Sequence, residues 1–238
     1  MKMLTKRNSY ILLAVAATAF FYSRDGDVTT SVYATGTAFA LPLALAAMVG
    51  IMCERTGIVN IGIEGTMLIS AFVAFFVSYL TQNIVIGLIA ALMVGALMGF
   101  ILALMAVSWR MDQIIAGTII NILATGLTSF LYVQGKTIPS VFQSFEIPLL
   151  SKIPFFGQVL FIHGALTFIG LAVILILYVG IYHTPWGLRS RAVGEHPSSA
   201  DTAGVSVARL RYINVTIAGA IGALAGAYLA LELVGSFE

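Results

Sequence analysis

Charge is the scarcest property of this chain. Only 9% of its 238 residues are Asp, Glu, Lys or Arg, against 60% hydrophobic. A soluble core of this size does not need so few charges, and alternating barrel patterns are absent. Runs of about 20 apolar side chains recur instead, each long enough to cross a bilayer as a helix that satisfies its own backbone hydrogen bonds. Cysteine is represented by Cys53 alone, which excludes an internal disulfide and a cysteine-based zinc site. His183 and His196 have no carboxylate or cysteine at ligand spacing, so no metal site is expected. The net charge of +2 carries no basic patch for nucleic acid. Also missing are G-x-x-x-x-G-K-[ST], H-E-x-x-H, G-x-S-x-G and paired intramembrane aspartates. No catalytic residue and no cofactor is therefore assigned.

What remains is an all-α polytopic membrane bundle, read as one domain over residues 1–238 with about seven spans. Lys2, Lys6 and Arg7 precede the apolar run Tyr10–Tyr22, an uncleaved first helix or a signal peptide. Ser23–Ser31 is expected to be an external loop, and Tyr33–Met52 the return, with Pro42 kinking it. Ile58–Leu80 goes outward and Ile84–Ser108 inward. Gln113–Val133 then leads to a long external segment, Gln134–Leu160, rich in proline and phenylalanine. Phe161–Tyr182 returns, and Tyr212–Val234 crosses last. This topology places Arg55, Arg110, Arg189, Arg191, Arg209 and Arg211 inside with the basic N-terminus, leaving Arg24, Lys136 and Lys152 outside.

Three polar features interrupt the apolar background. Ile58–Leu80 contains Asn60, Gly62, Glu64 and Gly65. An ionisable residue there either pairs with an arginine near the interface or serves a function, and the glycines permit a broken helix. In the next outward helix Gln113, Gly117, Asn121, Thr125, Thr128 and Tyr132 share one face. That stripe either hydrogen-bonds a neighbouring helix or lines a solute path. Finally, Trp186–Arg211 is a polar island between two spans. Pro197 fits the first position of a short helix, Gly204 its end, and Ser206 can cap the helix that follows. It is either an ordinary connector or a helix presented to a soluble partner. Small-residue pairs, Gly95-x-x-x-Gly99 and Gly222-x-x-x-Gly226, mark close helix contacts.

Three stretches together resemble the permease subunits of bacterial ATP-binding-cassette importers of the ribose, nucleoside and branched-chain amino-acid group. Glu54–Gly65, ERTGIVNIGIEG, is similar to the family signature E-R-x-G-x-x-N-I-G-x-E-G. Asp112–Gly117 with Asn121–Ala124 is similar to its next polar helix. Trp186–Arg189, Arg191–Pro197 and Ala200–Gly204 are similar to its cytoplasmic coupling segment, here 184–211. The wording is nearest to the nucleoside-type permeases. The resemblance covers about Leu41 to Val234.

The resemblance implies that Glu195, His196, Pro197, Ala200, Asp201 and Gly204 make the coupling contact with an ATP-binding subunit pair. It places Asn60, Glu64, Gln113 and Asn121 in the core motifs or translocation path, and the polar stripe adds Thr125 to that set. It also implies a second permease subunit, an extracytoplasmic substrate-binding protein, a small-molecule solute and a multi-pass location in the bacterial plasma membrane; the expectation of a cytoplasmic N-terminus rests on the charge bias instead. ATP would be bound by the partner. The resemblance implies further helices after the coupling segment, where this sequence has one; either the sequence is a fragment, or the gene is interrupted, or those helices come from elsewhere, and a bundle without them would expose the small-residue face of Tyr212–Val234 to lipid. The competing expectation is an ion-coupled secondary transporter using Glu64 as its coupling carboxylate.

Overall fold

The computed structural model describes residues 16–132, 142, 144–146, 151, 153, 155–234 and 237. Residues 16–24 are helical. Helix α1 spans Gly26–Glu54, α2 Ile63–Thr81, and α3 Ile84–Ala103, continuing as a π-helical turn over Leu104–Ser108. Helix α4 spans Gln113–Leu131. Strand β1 (Ser144–Glu146) pairs with β2 (Ile162–Gly164), with the short α5 (Phe156–Leu160) between them. Helix α6 spans Ala165–His183, α7 Pro185–Glu195, α8 Pro197–Thr202 and α9 Val207–Tyr228, which runs on as a π-helical segment over Leu229–Val234. Six of these helices are long and apolar enough to cross a membrane. The start of the expected Tyr10–Tyr22 span and most of Gln134–Leu160 lie outside the described residues.

The chain divides into two compact units. One comprises Met1–Ala40 and Ser144–His163, the other Leu41–Gln143 and Gly164–Glu238. In the first, Ser23–Ser31 is not the expected loop, because α1 already begins at Gly26. Asp25 explains the early start: its carboxylate accepts from the Val28 amide at 3.1 Å, as a helix cap does. Thr29 and Thr30 then turn their hydroxyls onto helix carbonyls, which hides their polarity. Phe155 meets Tyr22 and Tyr33 edge-on in the same unit.

The second unit is built around α9, two thirds of whose apolar window is buried (67%), the largest share of any span. Its small residues do not face lipid as expected. Gly219 lies against Gly95 and Gly99 of α3, and Gly226 lies on the Met67 backbone of α2. Gly222 faces Thr66 and Val49. Small residues on separate sides of one helix let two neighbours approach to backbone contact, and van der Waals packing there replaces the missing hydrophobic drive. Helices α2 and α3 are joined by a tight turn in which Asn83 caps α3 by accepting from Val85 and Ile86.

Candidate functional site

The expected helix break is present and its construction is visible atom by atom. Helix α1 ends in a Schellman motif: Gly57 adopts φ +75°, its amide bonds the Glu54 carbonyl, and the Ile58 amide reaches back to Cys53. Residues 58–61 then carry no regular structure before α2 begins at Ile63. Backbone groups freed this way must find partners. Asn60 supplies one, its Oδ1 accepting from the Gly62 amide at 2.9 Å. The rest come from α4. Gln113 Oε1 accepts from the Val59 amide at 2.7 Å. Asn121 accepts from the Gly65 amide at 2.8 Å through Oδ1 and donates to the Ile61 carbonyl at 3.1 Å through Nδ2. Between them Gly117 presses on Gly62, where an added Cβ would stand 2.8 Å from the Gly62 nitrogen. Asp112 fixes the register of this grip by capping α4 through the Ile114 and Ile115 amides.

The stripe on α4 therefore splits. Gln113, Gly117 and Asn121 clasp the broken backbone. Thr125 is exposed and bonds the Asn121 carbonyl of its own helix, and Thr128 is buried and back-bonded in the same way. Asn60 and Glu64 instead reach the wall of a cavity of about 660 Å³. Its remaining lining is apolar, with Leu43, Ile61, Met67, Leu229 and Phe237 among the contributors. The structure does not bring Gln113, Asn121 or Thr125 to that wall. Glu64 stands in the first turn of α2, where the free amides of a helix N-terminus favour an anion. Its side chain is exposed, and among the described residues no arginine pairs with it.

The polar island folds as two helices. Pro197 opens α8 as expected. Gly204, at φ +83°, stops it with a second Schellman motif, its amide on Asp201 and the Val205 amide on Ala200. Ser206 occupies the N-cap of α9, yet its hydroxyl bonds no helix amide. Glu195, His196 and Asp201 are exposed, whereas Ala200 is buried and anchors the helix. Pro197, Ser198, Asp201, Arg110 and Arg211 line a further cavity of about 600 Å³ beneath α8.

The island is tied directly to the break. Gly194 at the end of α7 packs on the Arg55 carbonyl, and an added Cβ would also lie 3.2 Å from the Gly57 nitrogen. Arg211 Nε donates to the Thr56 carbonyl at 3.1 Å. Trp186 Nε1 donates to Asn214 at 3.0 Å, and Asn214 donates to Ser190 at 2.8 Å, which locks α7 onto α9. These contacts were not foreseen from sequence, since Gly194, Arg211 and Asn214 carry no spacing signal. Nor was Glu232. Its carboxylate accepts from the Leu166 amide at 2.8 Å and the Thr167 hydroxyl at 2.6 Å, so it caps α6 from the π-helical segment that lines the cavity of about 660 Å³.

Comparison with known proteins gives one family. A family described as the permease component of the branched-chain amino acid transport system matches residues 32–237. The guanosine ABC transporter permease protein NupQ of Bacillus subtilis is 40% identical over 212 residues, 84% of this chain and 66% of that protein. The nucleoside ABC transporter permease protein NupC of Lactococcus lactis is 33% identical, over 84% of this chain and 67% of that protein. The chain thus spans about two thirds of the length of these relatives. No solved structure matches.

Proposed function

The chain belongs to the family of branched-chain amino acid transport permease components, and from that premise we propose that it is the membrane-spanning permease subunit of an ATP-driven importer. It carries no chemistry of its own: it forms part of the path for a nucleoside and takes its power from a separate ATP-binding subunit pair. The names of its relatives, a guanosine and a nucleoside permease, support that solute class. So does the cavity, whose size falls within the about 300–1,000 Å³ usual for small-molecule sites and whose apolar wall carries an amide and a carboxylate. Asn60 and Glu64 suit hydroxyl and ring-nitrogen groups of a neutral solute. A second permease subunit, an external binding protein and a plasma-membrane location with the N-terminus cytoplasmic complete the proposal, the last supported by the arginine bias.

One observation carries the reading. The exposed helix α8 follows directly on α7, and α7 rests through Gly194 on the turn that opens the broken, cavity-lining segment. Movement imposed on α8 has a packed route of a few residues to Asn60 and Glu64. In this proposal Glu195, His196, Pro197 and Asp201 meet the ATP-binding subunit, while Ala200 and Gly204 hold the shape of the helix that presents them.

The test is co-purification of the tagged chain from its host by gentle detergent extraction, with native mass spectrometry of the intact complex. An ATP-binding subunit pair is expected, and replacing Glu195 and Asp201 with alanine is expected to weaken it while the chain still inserts. Unchanged co-purification refutes the docking role. Guanosine uptake that survives ATP depletion but stops when the proton gradient collapses would support the ion-coupled alternative instead.

A further inference from the structure

Tyr182, at the end of α6, has two guanidinium groups over its ring: Arg55 and Arg191, each with Cζ 5.8 Å from the ring centroid. Arg55 belongs to the turn after α1 and Arg191 to α7, so three elements converge on one phenol. Arg55 also reaches within 3.5 Å of the Tyr182 hydroxyl. Among the described residues no carboxylate pairs with either arginine. The Nε of Arg191 is buried without any hydrogen-bond acceptor. An aromatic face orients guanidinium groups but does not neutralise them, and an unpaired buried donor is rare enough to call for an acceptor. Two guanidinium groups thus share one ring without a carboxylate beside them among the described residues.

Position narrows what the acceptor can be. Leu171, Leu175, Tyr178 and Tyr182 follow one another at helical spacing on α6, and all are exposed, with Tyr178 52% and Tyr182 37% accessible. Tyrosines at the end of an apolar spanning helix favour headgroup depth, and Arg55 and Arg191 share the Tyr182 ring at that end of α6. We propose that Arg55, Arg191 and Tyr182 bind the phosphodiester headgroup of an anionic phospholipid, with the two guanidinium forks on its oxygens and the acyl chains along the exposed face of α6. A planar fork matches phosphate oxygens in a way a lysine ammonium does not. The bound lipid would brace the Arg55 turn against α7, next to the Gly194 contact.

The test is native mass spectrometry of the complex purified with this chain, titrated with phosphatidylglycerol and, separately, phosphatidylcholine. The wild type is expected to retain phosphatidylglycerol selectively, and the R55Q/R191Q variant to lose it by about 30-fold, the sum of two basic contacts at a membrane surface. R191K guards against a folding defect: it keeps the charge, and it is expected to bind more weakly than wild type while remaining monodisperse. R24Q, whose arginine lies over Phe20 elsewhere in the chain, is expected to change nothing. Equal retention by wild type and R55Q/R191Q overturns the proposal. So does displacement of the lipid by millimolar inorganic phosphate, which would mark a site for free anions. Loss of the ATP-binding subunit from R55Q/R191Q with lipid retained would likewise overturn it and assign the arginines to protein docking.

Discussion

Replacing Asn121 with alanine is the sharpest test of how the broken segment is held. The side chain accepts from the Gly65 amide at 2.8 Å and donates to the Ile61 carbonyl at 3.1 Å. Alanine leaves both backbone groups without that partner, and each unpaired group costs about 1–3 kcal/mol. Asn121 is half-buried, so partial solvation favours the lower part of that range, giving about 2–4 kcal/mol for the pair. For a chain of this size the fall in Tm is about 5–15 °C. Thr125 supplies the control. It lies one turn along the same stripe, but its hydroxyl bonds only its own helix, at 2.9 Å from the Asn121 carbonyl. Thr125→Val is expected to shift stability by less than about 0.5 kcal/mol. Both variants would be melted in one detergent with intrinsic fluorescence as the probe. A fall for Asn121→Ala beside a flat Thr125→Val supports the clasp. Equal melting temperatures, or a larger loss for Thr125→Val, would refute it and return the stripe to the role of a solute path.

Glu64→Gln is expected to lower uptake severalfold in the complete complex with little change in Tm, because the carboxylate lines the cavity without an arginine partner among the described residues; wild-type uptake would remove Glu64 from the path. Gly194→Ala places a methyl group on the Arg55 carbonyl, so ATP hydrolysis and solute uptake are expected to become uncoupled, a result sought by measuring both in the same proteoliposomes. Cys53 is fully buried, and a membrane-impermeant maleimide is expected to leave it unlabelled until the protein is denatured; rapid labelling of the native chain contradicts the packing around the Gly57 turn.

Much of this architecture was legible in the residues. Asn60, Gly62, Glu64 and Gly65 cannot all lie comfortably inside one apolar helix, so the break was visible as a conflict between length and polarity. Pro197 and Gly204 gave the start and stop of α8 correctly because backbone geometry, φ above all, admits few residues there. The role of the α4 stripe was not legible. A face that grips a backbone and a face that lines a path have the same period, and only tertiary placement separates Asn121 from Thr125. Asp25 was misread for a similar reason: Ser23–Ser31 has the composition of a loop, and its threonines are helical only because their hydroxyls turn inward. Glu232 carried no signal, since its partners, Leu166 and Thr167, are 66 and 65 residues away.

The clasp on the broken segment has a consequence for biosynthesis. Val59, Ile61 and Gly65 find their partners on α4 at sequence separations of 54, 60 and 56 residues. When the ribosome has delivered α2, neither Gln113 nor Asn121 yet exists. A bare peptide group in hydrocarbon costs several kcal/mol, so the segment has to wait in contact with water or inside the insertion machinery until α4 emerges. On this argument α2 and α3 are expected to be released to lipid only together with α4. Nascent chains cut short before Gln113 are for that reason expected to be handed to quality control rather than to persist as a stable partial bundle.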